Sequence, residues 1–369
     1  MAYEIGILPL EMLLPKIATA EDQLARLDEV VRRSPVGQGF AERVHFTEAA
    51  ASMWVAGELV HVEDLVLHDA DRDVRTPTHE ITIAHSILRA RRRIAGAKRD
   101  WATSRAGIAS LVGRSATFVE QEEAGEGRPP LSAELPLDED EDRCAAAFAE
   151  IDAVLVHSAR VLEAVERGKE RKEGSLVVGE LVVRDPEWDE EGRLSDWRKV
   201  LEEVESLPTT LAAVILWDAW ESMEPMQRQH WLGTQLVNSY FRARGKVSSH
   251  LFGFSSGLKA VPRERRRSPK RTSRLIAGLD AMASGADLAM KEVIRLGQAR
   301  DHLERKLKGK RSSSSLPRVV DLLMTRPIVS SSLIIKELGV SHRAALDLVA
   351  ELGVREVTGR GSFRAWGVL

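Results

Sequence analysis

Asp69, Asp71, Asp73 and Glu80 fall at positions 1, 3, 5 and 12 of the spacing with which a loop encloses calcium. Val74 stands where such a loop turns on glycine and Pro77 interrupts it, so a solvated acidic turn is predicted instead. His61 and His68 lie seven residues apart, with His79 and His85 following. Two histidines hold a metal from one helix face at a spacing of four, which is missing here, so surface or capped side chains are expected. Trp217, Trp220 and Trp231 could stack a base, but such intervals more commonly place aromatics in a core. No nucleophile elbow or phosphate-loop spacing occurs, which leaves hydrolase and kinase chemistry unsupported. No metal and no cofactor is expected.

The elements that must position these residues belong to a chain of 369 residues, long enough for two or three units. With 43% apolar and 30% charged residues it is neither a mostly disordered chain nor a polytopic membrane protein. The apolar stretch Ile5–Leu14 is broken by Pro9 and Glu11 and is too short to span a bilayer. The single cysteine, Cys144, cannot form an internal disulfide, which fits a reducing cytoplasm. The net charge of −3 conceals an asymmetry: residues 259–369 carry 23 Lys/Arg against 11 Asp/Glu, a balance of +12, so residues 1–258 carry −15. Any polyanion is expected at the C-terminal end.

Apolar residues recur at helical spacing through Ala20–Val31, Ile81–Ile94, Cys144–Val165, Trp197–Val204, Leu211–Trp220 and Leu232–Phe241, which predicts a mainly α body. Gly/Pro/acid-rich residues 124–142 read as a surface loop and Lys/Ser-rich residues 308–315 as a linker. Leu176–Val183 suits a small β-hairpin packed on the helices. The run Arg263–Arg274 holds seven basic residues and one acid around Ser268-Pro269; it reads as a loop, either a solvated charge run or an aid to sequence-independent binding.

After residue 315 the pattern changes. Pro317–Thr325, Ser331–Leu338 and His342–Leu352 read as three helices, with Gly339 supplying the positive φ of a tight turn and Ser341 capping the third. Leu333, Ile334, Leu338, Val340, Ala345, Leu348, Val349 and Leu352 form the apolar face that locks them together. Arg355–Val357 and Phe363–Trp366 alternate around a glycine-rich tip, as a two-stranded wing would. Over about 53 residues this resembles the winged helix-turn-helix domains of bacterial transcription regulators. The resemblance implies duplex DNA as partner, with His342 and Arg343 at base edges, Ser341 beside them, Arg360 and Arg364 on phosphate, and Lys336 on the backbone. Asp347 counts against it unless it accepts from a cytosine amine. The alternative is a module used for protein contacts.

The order of elements in the body resembles a Fic-type domain, the fold of enzymes that transfer AMP or related groups to protein hydroxyls. The resemblance rests on a helix start near Ala49–Glu58, the Leu176–Val183 hairpin and the stretch from Leu207 into Trp220-Glu221. There the family keeps His-Pro-Phe-x-Asp-Gly-Asn-Gly-Arg; here the run is Glu224-Pro225-Met-Gln-Arg228-Gln-His230-Trp-Leu-Gly233. Anchored on Pro225, the base falls on Glu224, the metal-holding acid on Arg228 and the phosphate glycines on Gln229-His230-Trp231. The inhibitory Ser/Thr-x-x-x-Glu-Gly helix matches Ser52-Met-Trp-Val-Ala56-Gly57, which lacks the glutamate. Transfer needs a cation, a base and aimed dipoles, so the resemblance implies a scaffold without its chemistry. The chain is also similar to an uncharacterised bacterial family that couples a domain of unknown function to a C-terminal helix-turn-helix.

These observations predict a mainly α protein: a Fic-like body (1–307) with a small hairpin, a linker (308–315) and a winged helix-turn-helix (316–369). The expected function is that of a cytoplasmic, non-enzymatic DNA-binding regulator, whose body dimerises or senses a partner. The alternatives are a nucleotidyl transferase that uses Glu224 or His230 as its base, and a toxin–antitoxin type of interaction protein.

Overall fold

Helix after helix follows from the apolar spacing, and the computed structural model bears out the mainly α class. It describes residues 3–70, 76–113, 188–308, 315–357 and 364–368, all of which belong to one compact unit. The expected helix Cys144–Val165, the 124–142 loop and the Leu176–Val183 hairpin lie outside the described residues, as do Asp71, Asp73 and Arg360.

The N-terminal helices are α1 (Leu10–Arg33), α2 (Gly37–Ala56), α3 (Val62–Asp69), α4 (His79–Gly96) and α5 (Arg105–Leu111). Thr78 and Ser104 cap α4 and α5 through hydroxyls that accept from Ile81 and Gly107 amides. Ala49–Glu58, expected to begin a helix, instead ends α2: its last turns stop at Gly57, whose φ of 103° an L side chain rarely adopts.

The second half holds α6 (Glu190–Glu203), α7 (Thr209–Met223), α8 (Leu232–Ala243), α9 (Phe254–Lys259), α10 (Arg263–Arg266) and α11 (Arg271–Leu307). Every residue of α7 from Thr210 to Trp220 is buried, as expected of a helix apolar all round. Trp217 and Trp220 are core residues, set edge-on to Phe254 and Trp197 at 5.7 and 5.5 Å.

Residues Arg263–Arg274 are not one loop. α10 occupies the first turn and α11 begins at Arg271, because Ser268-Pro269 breaks the helix only locally. Part of the run is spent on the fold: Arg274 and Arg271 reach the fully buried Asp218 at 2.6 and 3.3 Å, and the exposed Arg265 pairs with Asp280 at 2.6 Å at the surface. Buried Arg266 donates to the Val261 carbonyl.

α11 runs 37 residues, about 55 Å at 1.5 Å per residue. Small residues let its neighbours approach: a Cβ on Gly257 of α9 would sit 1.9 Å from the Ala281 carbonyl oxygen, and one on Gly278 would sit 2.4 Å from the Val214 side chain. The remaining elements, α12 (Leu316–Thr325), β1 (Val329–Ser330), α13 (Ser331–Leu338), α14 (His342–Leu352) and β2 (Ala365–Trp366), complete the described chain. β1 and β2 pair antiparallel, Val329 opposite Trp366 and Ser330 opposite Ala365.

Candidate nucleic-acid interface

Three local devices build the C-terminal site. Ser330 caps α13 by accepting from the Leu333 amide at 3.1 Å, and Ser341 caps α14 by accepting from Ala344 at 3.2 Å. Between them Gly339 turns the chain at φ 70° with no backbone penalty. Ile334, Ala345, Val349 and Leu352 are buried, with Leu333, Leu338, Val340 and Leu348 packed against the core, so the face expected from the sequence does lock the helices. Beyond α14, Glu356 bridges Trp366 and the Val357 amide donates to the Ala365 carbonyl at 2.8 Å, which carries the strand pairing back toward β1.

α14 therefore turns Ala345, Leu348, Val349 and Leu352 inward and presents His342, Arg343 and Asp347 to solvent. Lys336 is exposed on α13. Arg364 is exposed too, but its guanidinium is held by Glu356 at 2.8 and 3.0 Å and lies 5.4 Å from the Trp366 ring centre. A phosphate would have to compete with that carboxylate.

What sequence reasoning missed is how firmly the body grips this module. Arg43 of α2, 5% exposed, donates to the carbonyls of Leu323, Arg326 and Val368 at 3.2, 2.6 and 3.0 Å. Burial pushes its guanidinium down to about 10, against the charge of Glu292 at 3.8 Å, and leaves it a cation at neutral pH. Lys306 of α11 donates to the Leu352 carbonyl at 2.6 Å, a cation at the negative end of α14. Ile328 and Ala365 share a core cluster with Phe46, Leu65 and Ile87 of α2, α3 and α4.

Asp69, the first acid of the calcium-like spacing, belongs to the same junction. Arg92 clasps it with two bonds of 2.6 and 3.0 Å, Arg326 lies 3.3 Å away and His85 3.4 Å. Burial works against its charge, but the hydrogen bonds from His85 and Arg92 and the charges of Arg92 and Arg326 outweigh it and hold the carboxyl below its usual range. His68 stacks edge-on against His85 at 4.7 Å. Among the described residues no group of three acids, histidines or cysteines could hold a metal ion.

The Glu224–Gly233 segment is a packed turn between α7 and α8. Glu224 ends α7 at φ 45°, and Glu224, Arg228 and His230 are exposed. Pro225 and Met226 are buried, and Trp220 donates its indole N–H to the His230 carbonyl at 3.1 Å. A Cβ on Gly233 would lie 2.3 Å from the Trp220 ring, so this glycine serves helix packing rather than close approach to a phosphate.

Nearby, the fully buried Glu48 of α2 accepts from the Ser255 and Ser256 amides at 2.7 and 2.9 Å and caps α9. Ser52 meets Gln235 of α8 at 3.2 Å, and Arg91 donates to Gln235, Leu251 and Phe252 oxygens. This polar cluster holds the 251–256 turn in place, with the Arg91 Nε left as its buried atom without a partner.

Residues 182–308 match a family described as a protein of unknown function (DUF1612), and residues 316–369 match a helix-turn-helix DNA-binding domain. The first match ends with α11 and the second begins with α12. The uncharacterized protein y4cF of Sinorhizobium fredii (strain NBRC 101917 / NGR234) is 43% identical over 380 residues, across the whole of both chains. This chain belongs to the same family. The family pairs a helical body with a C-terminal helix-turn-helix DNA-binding domain, and no helix among the described residues is long and apolar enough to cross a membrane.

Proposed function

We propose that this chain is a DNA-binding regulator that does no chemistry of its own: residues 316–369 form a winged helix-turn-helix that reads duplex DNA, and residues 1–307 form its scaffold, joined through residues 308–315. The observation that carries this reading is the first turn of α14. There His342 and Arg343 are exposed without an ion-pair partner among the described residues, on a helix whose opposite face is buried. An arginine so presented can bind guanine O6 and N7 with two parallel hydrogen bonds. Lys336 and Arg360 would hold the phosphate backbone, and Arg364 would do so on leaving Glu356.

The body is proposed to be a Fic-like scaffold that has lost its reactive run, used for dimerisation or for sensing a partner. Two observations support it: the packed Trp220–Gly233 contact where a phosphate loop would need open backbone, and the meeting of Ser52 with Gln235. A mobility shift with fragments of the source genome tests the DNA reading. Salt-sensitive binding is expected, weakened about fivefold or more by Arg343→Ala, since a good bidentate pair discriminates by about 1–3 kcal/mol. No shift, or a shift indifferent to Arg343→Ala at every salt concentration, overturns it.

A further inference from the structure

α11 separates two basic surfaces. Its C-terminal third grips the helix-turn-helix module through Arg295 and Lys306, which donate to the Val368 and Leu352 carbonyls. Just before its first turn lies the rest of the basic run. With Arg265, Arg271 and Arg274 committed to Asp280 and Asp218, Lys259, Arg263, Arg267 and Lys270 remain exposed and make no salt bridge among the described residues. Glu264 and Glu221 are the nearby acids, which leaves the surface with an excess of positive charge.

Trp54, at the end of α2, is 38% exposed beside this group, with Lys259 Nζ and the Arg266 guanidinium each 5.6 Å from its ring centre. Burial and the like charges of Arg267 and Arg263 lower the proton affinity of Arg266. Such crowding of guanidiniums is relieved when an anion binds.

We propose that Lys259, Arg263, Arg267 and Lys270, with Trp54, form a second DNA-contacting surface, which grips the phosphates of duplex flanking the site read by α14. The inference rests on the DNA-binding reading. α11 sets the interval: the 36 residue steps from Lys270 to Lys306 span about 54 Å, or roughly 16 base pairs at 3.4 Å each. A chain that touches both places therefore protects a longer stretch than a helix-turn-helix alone, and four phosphate contacts add about 3–4 to the slope of log affinity against log salt.

The test uses the full chain and mixed-sequence duplexes of about 14 and about 40 base pairs, the longer one able to reach both surfaces. The wild type is expected to prefer the longer duplex by at least tenfold beyond the statistical gain in sites. In the variant Lys259→Gln/Arg263→Gln/Arg267→Gln/Lys270→Gln that preference disappears and the salt slope falls by about 3. The replaced side chains are exposed and make no salt bridge, so an unchanged melting temperature is the folding control. A slope and length preference equal to the wild type's overturn this surface. Binding of the wild-type surface to anionic lipid vesicles, with the DNA slope unaltered in the variant, also overturns it. Failure of the wild type to bind any duplex sinks the DNA reading itself, a distinguishable result.

Discussion

A single buried cation, Arg43, ties the DNA-binding module to its scaffold. Three carbonyls accept from it, and a neutral side chain would leave those of Leu323 and Arg326 without this donor, Val368 keeping only Arg295. Arg43→Met is expected to cost about 3 kcal/mol or more and to open the contact of α2 with α12, raising amide exchange across residues 316–325. Exchange confined to the chain ends would show that the contact is incidental. Nothing in the sequence marked Arg43, because a lone arginine between Glu42 and Val44 has the pattern of a solvent-facing residue. Gly339 and Ser341 were legible because turn and cap chemistry is local: a positive φ and a hydroxyl three residues before an amide need no partner from elsewhere in the chain. The roles of the site residues on DNA cannot be read in this way, since their partner is not part of the fold.

Among the elements, those with large apolar residues at regular intervals were visible in the sequence: α4, α6, α7 and α8 cover the expected stretches, and α13 and α14 have the expected bounds. α11 was not, because alanine and glycine interrupt the larger apolar residues of its buried face, and Gly278, Gly285 and Gly297 resemble breaks. Tertiary packing overrides that local cost. The two kinds of glycine can be told apart by substitution. At Gly257 a methyl group would meet the Ala281 backbone, so Gly257→Ala is expected to destabilise by several kcal/mol as α9 is pushed off α11. Gly297 has open space around it, so Gly297→Ala is expected to stabilise by about 0.5–1 kcal/mol through better helix propensity. Chemical unfolding of both variants checks the pair. Equal effects would contradict the packing of α9 on α11.

At the scale of the whole molecule, two neutral histidines sit in the core that joins α2, α4 and the 250–255 turn. Burial, together with Arg91, pushes the His250 imidazole down to about 4 against the opposing charge of Asp28. Burial with Arg91, Arg92 and His250 pushes His45 down to about 2. The unfolded chain binds these protons near pH 6.5 and the folded chain does not, so stability is full above pH 6.5 and falls as the medium is acidified toward pH 4. Each histidine approaches a slope of about 1.4 kcal/mol per pH unit below pH 6.5, so the two together remove about 2 kcal/mol between pH 6.5 and 5.5. Urea unfolding at pH 7.5 and 5.5 measures it, and equal or greater stability at pH 5.5 would contradict the buried neutral pair.

The same compact unit presents α14 outward, where we propose that it reads a sequence in DNA. Sequencing the DNA recovered with tagged full-length protein from its own cells, beside that recovered with Arg343→Ala, tests it most directly. Wild-type fragments are expected to share a short common motif, and the variant to lose this enrichment while keeping its fold. Fragments without a shared motif, or the same motif recovered undiminished by the variant, would contradict it.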